Sequence, residues 1–219
     1  MDIVELLSGT SFFQALDDDT LAAVLAQHRR VFYRRNQEIF HEADQAHALY
    51  VVISGRVGIL KSFLDRKESM VAMMESGDLF GEMSLFDEAG RSATARAIER
   101  SELLEIPYPP IRQAIESRPK LLWSLVQLLA RRLRQTDDAL TDAMFLDVTG
   151  RTAKRIIELA GEADEFVIPL TQEELAGLIG ASRERVNKTL ATFVRAGYIE
   201  INDRNYRIKN RKQLEIIAG

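Results

Sequence analysis

The chain has 219 residues, of which 46% are hydrophobic, and its formal net charge is −4. This length and composition fit one large globular domain or two modest ones. No window approaches the ~18 uninterrupted apolar residues of a membrane span. The first residues, "MDIVELLSG", lack the basic flank and long apolar stretch of a secretory signal, so we expect a cytoplasmic protein that does not enter a membrane. The absence of cysteine excludes disulfides, iron–sulfur clusters and thiolate zinc sites.

The charge is distributed unevenly along the chain. Nine Lys and Arg residues face three Asp and Glu residues between Arg183 and Lys212, so this segment carries +6 and the remainder carries −10. A basic segment in an acidic chain indicates a polyanionic partner for that end of the protein.

The first half of the chain is predicted to be rich in short strands. Residues 16–28, "LDDDTLAAVLAQH", predict a short capped helix. Residues 31–107 then contain apolar runs punctuated by Gly55, Gly58 and Gly77. Strands with turn signals every 8–12 residues are typical of a β-sandwich or barrel. Three prolines, at positions 107, 109 and 110, close the region.

A long helix is predicted to begin at Pro119. Its apolar positions follow a heptad spacing over three repeats: Leu122, Val126, Leu129, Leu133, Thr136, Leu140 and Ala143. Such a seam predicts pairing with a copy of the same helix, and therefore a homodimer; the alternative is a helix that packs only within its own domain. Thr136 is polar, so it either fixes the register of the pair or, with Asp137, holds a polar group between the helices. Gly150, in "FLDVTGR" at 145–151, predicts a joint between domains, followed by a short helix.

The strongest motif is "LTQEELAGLIGASRERVNKTLATFVRAGYI" at 170–199. Thr171 and Glu174 form a capping box that begins one helix. Ser182 caps a second helix, and Gly180 makes the turn between the two. Ala176 allows the helices to approach, and Val186 fills the angle between them, which is typical of a helix-turn-helix.

The second of these helices carries polar side chains suited to reading bases. Arg183, Glu184, Asn187 and Lys188 are predicted on its outer face, opposite Val186, Leu190 and Phe193. Arginine can bond guanine O6 and N7, and glutamate can accept from cytosine N4. The following "GYIEINDRNYRIKN" predicts a hairpin that turns at residues 202–205. Arg204, Arg207 and Lys209 lie on or near it, where cations would contact phosphates.

One apolar segment contains two charges that need an explanation. The stretch "LFGEMSLFDEAGRSATARA" at 79–97 includes Glu82, Arg91 and Ser92. Buried charges are costly unless they are paired or bind a ligand. Either Glu82 and Arg91 form a salt bridge, or they hold a polar ligand.

Together, "GDLFGEMSLF", "RSATARA", "ARRLRQT", "FLDVTGR" and "ASRERVNKTL" resemble the cyclic-AMP receptor protein (CRP/FNR) family of bacterial transcription regulators. The resemblance covers residues 12–208 and implies an α+β protein with three parts. These are a jelly-roll-like β-roll that binds cyclic nucleotide (1–118), a dimerisation helix with hinge (119–146) and a winged helix-turn-helix that binds DNA (147–219). It implies an allosteric regulator rather than an enzyme, with no metal, haem or iron–sulfur cluster.

The resemblance also implies roles for individual residues. Glu82 would accept the ribose 2′-OH of cyclic AMP, Arg91 would pair with the cyclic phosphate, and Thr136 would bond adenine across the dimer. The implied effector site comprises Val71, Gly81, Glu82, Met83, Ser84, Arg91, Ser92, Arg132, Thr136 and Asp137. The implied DNA-contacting residues are Thr171, Ser182, Arg183, Glu184, Asn187, Lys188, Arg204 and Arg207. The implied seam is Leu122, Val126, Leu129, Leu133 and Leu140. The implied partners are a second copy, RNA polymerase and double-stranded DNA with two-fold symmetric TGTGA-like half-sites.

Three features depart from the family pattern. Asp137 stands where relatives often have Ser or Asn; its carboxylate can accept from the adenine amine but opposes guanine O6, which favours cyclic AMP over cyclic GMP. Lys188 replaces an arginine found in several relatives and lacks its bidentate fork. Residues 161–170 are shorter than the loop with which well-known activators touch polymerase, so repression or another polymerase contact stays open.

Other functions are less well supported by the residues. A haem-based sensor would need His28, His41 or His47, but His41 and His47 are predicted in an exposed turn. A regulator that is ligand-free or responds to a cyclic dinucleotide would leave Glu82 and Arg91 structural. A cyclic-nucleotide-binding regulatory subunit or channel module does not need the helix-turn-helix. No P-loop, GxGxxG or metal-ligand cluster supports an enzyme.

Overall fold

A computed structural model describes residues 6–7, 11–63, 67–87 and 89–219. The chain divides into two compact units, Met1–Arg134 and Gln135–Gly219. Most of the segment examined for a secretory signal lies outside the described residues. No helix in the described ranges is long and apolar enough to cross a membrane.

The first unit is built on two four-stranded antiparallel sheets, which confirm the predicted β-roll. Their strand orders are β1-β8-β3-β6 and β2-β7-β4-β5. The strands are β1 (Arg29–Tyr33), β2 (Glu38–Phe40), β3 (Ala48–Ser54), β4 (Val57–Phe63), β5 (Lys67–Met74), β6 (Leu79–Phe80), β7 (Thr94–Ala97) and β8 (Ser101–Pro107).

Strand β3 lies at the centre of the core because both of its faces are apolar. Leu49, Val51 and Ile53 pack into one cluster, while Tyr50 and Val52 pack into another. Successive side chains of a strand point to opposite faces, so the uninterrupted run "ALYVVI" is buried on both sides. The first cluster includes residues of the helices, and the second includes residues of both sheets.

Several short helices of the first unit precede the long helix, and one of them begins at a side-chain cap. They are α1 (Ser11–Gln14), α2 (Asp18–Leu25), α3 (Ser84–Asp87) and α4 (Tyr108–Ser117). Asp17 caps α2 by accepting from the Thr20 backbone N–H at 2.9 Å, which confirms the predicted capped helix. Pro109 and Pro110 do not simply close the β-rich region, because they occupy the first turn of α4, where no intrahelical N–H is required.

The long helix α5 spans Leu122–Phe145 after a 3-10 turn at Pro119–Leu121. Within it, Ser124 and Leu125 are buried, and Leu125 joins the core. The predicted seam is instead exposed: its five leucine and valine side chains are between 36% and 63% accessible. This apolar stripe is therefore left uncovered by the single chain.

The joint after α5 differs from the sequence prediction. Helix α5 ends at Phe145, and α6 (Val148–Ala160) begins two residues after Leu146, with Asp147 as its N-cap. The prediction that Gly150 makes this joint is wrong, because Gly150 is buried inside the first turn of α6. A Cβ at this position would lie 3.1 Å from the Ile217 carbonyl oxygen, so the glycine serves close packing.

The second unit contains the predicted helix-turn-helix and hairpin. Its remaining elements are β9 (Glu165–Val167), α7 (Gln172–Ile179), α8 (Arg183–Arg195), β10 (Ile199–Asn202), β11 (Asn205–Ile208) and α9 (Arg211–Ala218). The hairpin β10–β11 turns at residues 202–205, as predicted. Strand β9 adds a third strand to it, in the order β10-β11-β9, and this strand and α9 are not among the sequence predictions.

Candidate functional site

A tight turn after β6 carries the first charged group of the site. Gly81 has φ +79°, a conformation that suits glycine, and a Cβ there would lie 2.6 Å from Arg91 Nη1. The turn directs Glu82 inward, and its side chain is 0% exposed.

Glu82 is paired with the long helix. Its Oε1 accepts a hydrogen bond from Arg132, whose guanidinium also donates to the Leu79 carbonyl. Its Oε2 is buried and has no hydrogen-bond partner among the described residues. One oxygen of a buried carboxylate is therefore held by a cation, and the other accepts no hydrogen bond from the described residues.

Arg91 is a second buried charge, 5% exposed. Its Nη1 donates to the Gly81 carbonyl at 2.9 Å and its Nη2 to the Ala48 carbonyl at 2.8 Å. Its Cζ lies 4.0 Å from the centroid of the Phe40 ring, a cation–π contact. Its Nε is buried and has no hydrogen-bond partner in the part of the chain that the structure describes.

Glu82 and Arg91 do not neutralise one another. Glu82 pairs with Arg132, while the partners of Arg91 are neutral oxygens and aromatic rings. No carboxylate within the described ranges lies at ion-pair distance from Arg91. The alternative of a Glu82–Arg91 salt bridge is therefore wrong, and the described partners that enclose the Arg91 cation include no anion.

Tyr108 links the turn at Gly81 to Arg91 and is not among the predicted site residues. Its hydroxyl donates to the Gly81 carbonyl and accepts from Arg91 Nη1 at 3.2 Å. Burial raises the pKa of Tyr108, so the hydroxyl stays protonated and keeps donating near neutral pH. Burial likewise raises the pKa of Tyr50, which also lies beside Arg91, to about 12. No local pattern marks these tyrosines, because they reach Arg91 across the fold.

The other predicted effector residues fall into two groups. Close to Glu82 and Arg91, the Ser84 hydroxyl donates to the Gly90 carbonyl, and Ser92 Oγ lies 3.5 Å from Met83 Sδ. Elsewhere, Val71 is exposed on β5, and Thr136 and Asp137 are exposed on α5 within the second unit.

The helix-turn-helix follows the sequence prediction residue by residue. The Thr171–Glu174 capping box is formed, and Gly180 ends α7 in the left-handed conformation, φ +71°. Ser182 caps α8 by accepting from the Arg185 backbone N–H. Val186 is buried at the angle between the helices.

The outer face of α8 presents the predicted base-reading side chains. Arg183, Glu184 and Lys188 are exposed, and Asn187 is half-buried. The backbone N–H groups at the N-terminus of α8 add a partial positive charge beside these side chains. The arrangement offers donors from Arg183, Asn187 and Lys188, and acceptors from Glu184 and Asn187, to a polar surface such as a major groove.

The cations of the hairpin are in different environments. Arg204 is exposed at the turn. Arg207 instead lies between two carboxylates, 2.6 Å from Glu165 on β9 and 3.7 Å from Glu200 on β10. Lys209 also contacts Glu200, at 3.2 Å. Strand β9 thus brings an acidic neighbour to Arg207 that the sequence analysis did not anticipate.

One of the histidines, His41, has an acidic neighbour. His41 is exposed and lies 3.2 Å from Glu38. Within the part of the chain that the structure describes, no group of three or more His, Cys, Asp or Glu side chains could hold a metal ion.

Two family models match this chain. Residues 30–118 match the cyclic nucleotide-binding domain, and residues 150–217 match the Crp-like helix-turn-helix domain. The CRP-like cAMP-activated global transcriptional regulator of Mycobacterium tuberculosis is 36% identical over 217 residues, covering 96% of this chain and 97% of that protein.

Solved structures show the same similarity. The catabolite activator protein of Thermus thermophilus is 34% identical, with a TM-score of 0.54, and the match covers 95% of this chain and 98% of that one. The c-di-GMP responsive global regulator CLP of Xanthomonas campestris is 28% identical, with a TM-score of 0.75, and the match covers 88% of this chain and 99% of that one. The chain therefore belongs to the cyclic-AMP receptor protein (CRP) family of transcription regulators.

Proposed function

We propose that this regulator is a homodimer whose affinity for a two-fold symmetric DNA site is raised by cyclic AMP. The observation that carries the effector assignment is a pair of buried, incompletely bonded groups, Glu82 Oε2 and Arg91 Nε. A carboxylate oxygen is a strong acceptor for a ribose hydroxyl, and a fixed guanidinium suits a phosphodiester monoanion. Cyclic AMP offers both groups in one small molecule.

The exposed stripe on α5 supports the dimer. Leu122, Val126, Leu129, Leu133 and Leu140 are large apolar side chains in heptad spacing, and all are accessible in the single chain. A heptad stripe of this kind is buried when two such helices pair. Thr136 and Asp137 would then lie at the seam, where they can contact the adenine of a bound effector.

The exposed face of α8 supports sequence-specific reading. In the proposal, Arg183, Glu184, Asn187 and Lys188 contact base edges in the major groove. Thr171, Ser182, Arg204 and Arg207 lie toward the phosphates. A dimer places two such helices in successive major grooves, ~34 Å apart. The TGTGA-like half-site, the contact with RNA polymerase, and a cytoplasmic location follow only from the family.

A second candidate effector is a cyclic dinucleotide. The similarity to CLP, whose structure is described as c-di-GMP responsive, favours it. Cyclic dinucleotides also carry phosphodiester anions and ribose hydroxyls, so Arg91 and Glu82 alone do not separate the two classes. Thr136 and Asp137 favour the smaller ligand, because they offer polar groups for a single base.

The test is a DNA-binding titration with four effector conditions. The site is first selected from random duplex DNA by the full-length protein. The affinity for that site is then measured by fluorescence anisotropy without ligand and with saturating cyclic AMP, cyclic GMP or c-di-GMP. We expect cyclic AMP to raise the affinity most. Equal affinity in all four conditions would overturn nucleotide control, and a response to c-di-GMP alone would favour the second candidate.

The same selection tests whether α8 reads the DNA sequence. With Arg183→Ala, we expect binding to weaken by ~1–3 kcal/mol and the preference to relax at one position of each half-site. Enrichment of the same sites by Arg183→Ala and by the wild type would contradict the assignment of α8.

A further inference from the structure

Helix α6 carries three neighbouring cations that contact different parts of the second unit. Arg151, Lys154 and Arg155 lie within five residues of one another, and each is partly accessible. Some of their partners belong to the end of the long helix α5, and others belong to the helix-turn-helix. The three cations differ in which of these two elements they contact.

Arg151 bonds both elements at once. Its Nη1 donates to the Leu146 carbonyl at 2.7 Å, directly after the last residue of α5. Its Nε donates to the Ile179 carbonyl at 3.1 Å, and its Nη2 donates to the Gly180 carbonyl at 3.2 Å. Ile179 ends α7, and Gly180 forms the turn before the proposed recognition helix α8.

The chemistry of arginine explains why one residue can do this. The last carbonyls of a helix lack intrahelical partners and need donors from elsewhere. A guanidinium presents five N–H donors in a rigid plane, so it can serve carbonyls of two elements while holding their separation. A lysine ammonium is a single point on a flexible stem and cannot fix two elements in the same way.

The two neighbouring cations each contact one of these elements only. Among the described residues, Lys154 bonds Asp142 of α5 at 2.7 Å. Arg155 donates to the Leu178 carbonyl of α7 at 3.4 Å and pairs with Glu158 of its own helix. Arg151 is thus the one member of this trio that joins the end of α5 to the turn of the helix-turn-helix.

We propose that Arg151 is a positioning residue that couples effector binding to DNA binding. The inference rests on the proposed function, in which Thr136 and Asp137 on α5 contact the effector. A ligand shifts DNA affinity only through the arrangement that it binds better. Arg151 passes a displacement of the end of α5 directly to the turn that orients α8, without touching effector or DNA.

The experiment compares coupling in the full-length wild type and matched variants. DNA affinity is measured with and without saturating cyclic AMP, and the ratio is the coupling factor. Coupling between binding sites is reciprocal, so the affinity for cyclic AMP with and without DNA must give the same factor. Arg151→Met removes the donors at similar length. Lys154→Met and Arg155→Met are controls that each remove contacts to one of the two elements.

We expect a wild-type coupling factor of about tenfold or more, and about twofold or less for Arg151→Met. Both controls should stay within about twofold of the wild type. If Arg151→Met does not fold, as judged by its thermal unfolding, Arg151→Lys replaces it and should also show reduced coupling. Wild-type coupling in the Arg151 variant, or equal loss in all three variants, would overturn the proposal. If cyclic AMP does not change the DNA affinity of the wild type, the proposed function is overturned, and the coupling role of Arg151 is overturned with it.

Discussion

Substitution of Glu82 by glutamine tests the effector site at a single atom. The glutamine amide has nearly the shape of the carboxylate, and its oxygen can still accept from Arg132. At the position of Oε2 it places an NH₂ group, which donates hydrogen bonds and does not accept them. A ribose 2′-OH that donates to Glu82 Oε2 would lose its acceptor, while the rest of the effector would keep its contacts.

The expected magnitude follows from the charge and burial of Glu82. Its side chain is 0% exposed, so the bond to the ribose forms away from water. Hydrogen bonds to charged groups contribute about 1.5–3 kcal/mol net. We therefore expect the wild type to bind cyclic AMP about 10- to 150-fold more tightly than 2′-deoxy cyclic AMP. With Glu82→Gln this preference should fall to about threefold or less.

Calorimetry measures the affinity of cyclic AMP and of 2′-deoxy cyclic AMP for the wild type and for Glu82→Gln, and these four values give the preference of each protein. Glu82→Gln also removes the ion pair with Arg132, whose side chain is 29% exposed, so some loss of stability is expected. The unfolding midpoint of each protein, measured without ligand, separates that loss from binding. Equal binding of the two ligands by the wild type would refute the role of Glu82. An unchanged preference in Glu82→Gln would refute it equally.

Three further predictions concern the seam, the base contact and the wing. Leu129→Glu places like charges at the centre of the proposed seam and should give a monomer in sedimentation equilibrium at micromolar concentration; a monomeric wild type would contradict the dimer. Asp137→Asn supplies an amide that can donate to guanine O6, so the affinity for cyclic GMP should rise relative to cyclic AMP in calorimetry, and an unchanged ratio would show that Asp137 does not face the base. Arg204→Ala should weaken all DNA sequences about equally and reduce the salt slope by about one in anisotropy titrations. Arg207→Ala should have a smaller effect, because its two carboxylate neighbours already hold the cation, and an equal effect of the two variants would contradict this difference.

The helix-turn-helix could be predicted from sequence because its signals are local. The capping box at Thr171 and Glu174 lies within four residues, and Gly180 marks the turn at which α7 ends. Ser182 is adjacent to the helix that it caps. Each of these features joins residues that are close together in the sequence, so a short stretch of sequence is enough to predict it.

The surroundings of Arg91 could not be predicted in the same way. Phe40, Ala48 and Tyr108 reach it from three separate elements, through pairings that depend on the whole β-roll. The sequence shows that Arg91 is a charge in an apolar segment. It does not show which oxygens or rings enclose that charge.

The absence of β9 from the prediction and the wrong role predicted for Gly150 have different physical reasons. Strand β9 has three residues, too few for alternation of polar and apolar side chains to identify it. Gly150 was interpreted through the flexibility of glycine, whereas its position requires the absence of a side chain beside the Ile217 carbonyl. A glycine in a helix is often explained by packing, and the packing partner here is 67 residues away along the chain.

The enclosure of Arg91 also explains how the proposed site can be ready before the effector arrives. A buried cation without an anion is costly, and here the cost is reduced by two carbonyls, a hydroxyl and the face of Phe40. None of these partners carries a formal negative charge, so the attraction of the guanidinium for an anion is not cancelled. The same contacts hold the side chain in one conformation, and a ligand that binds it does not have to order it. The Glu82 side chain is likewise ordered in advance, because Arg132 holds one carboxylate oxygen, while the other accepts from no donor among the residues that the structure describes. Glu82 and Arg91 are thus held by separate partners. In the proposed function, one molecule that carries both a hydroxyl and an anion bonds to both side chains.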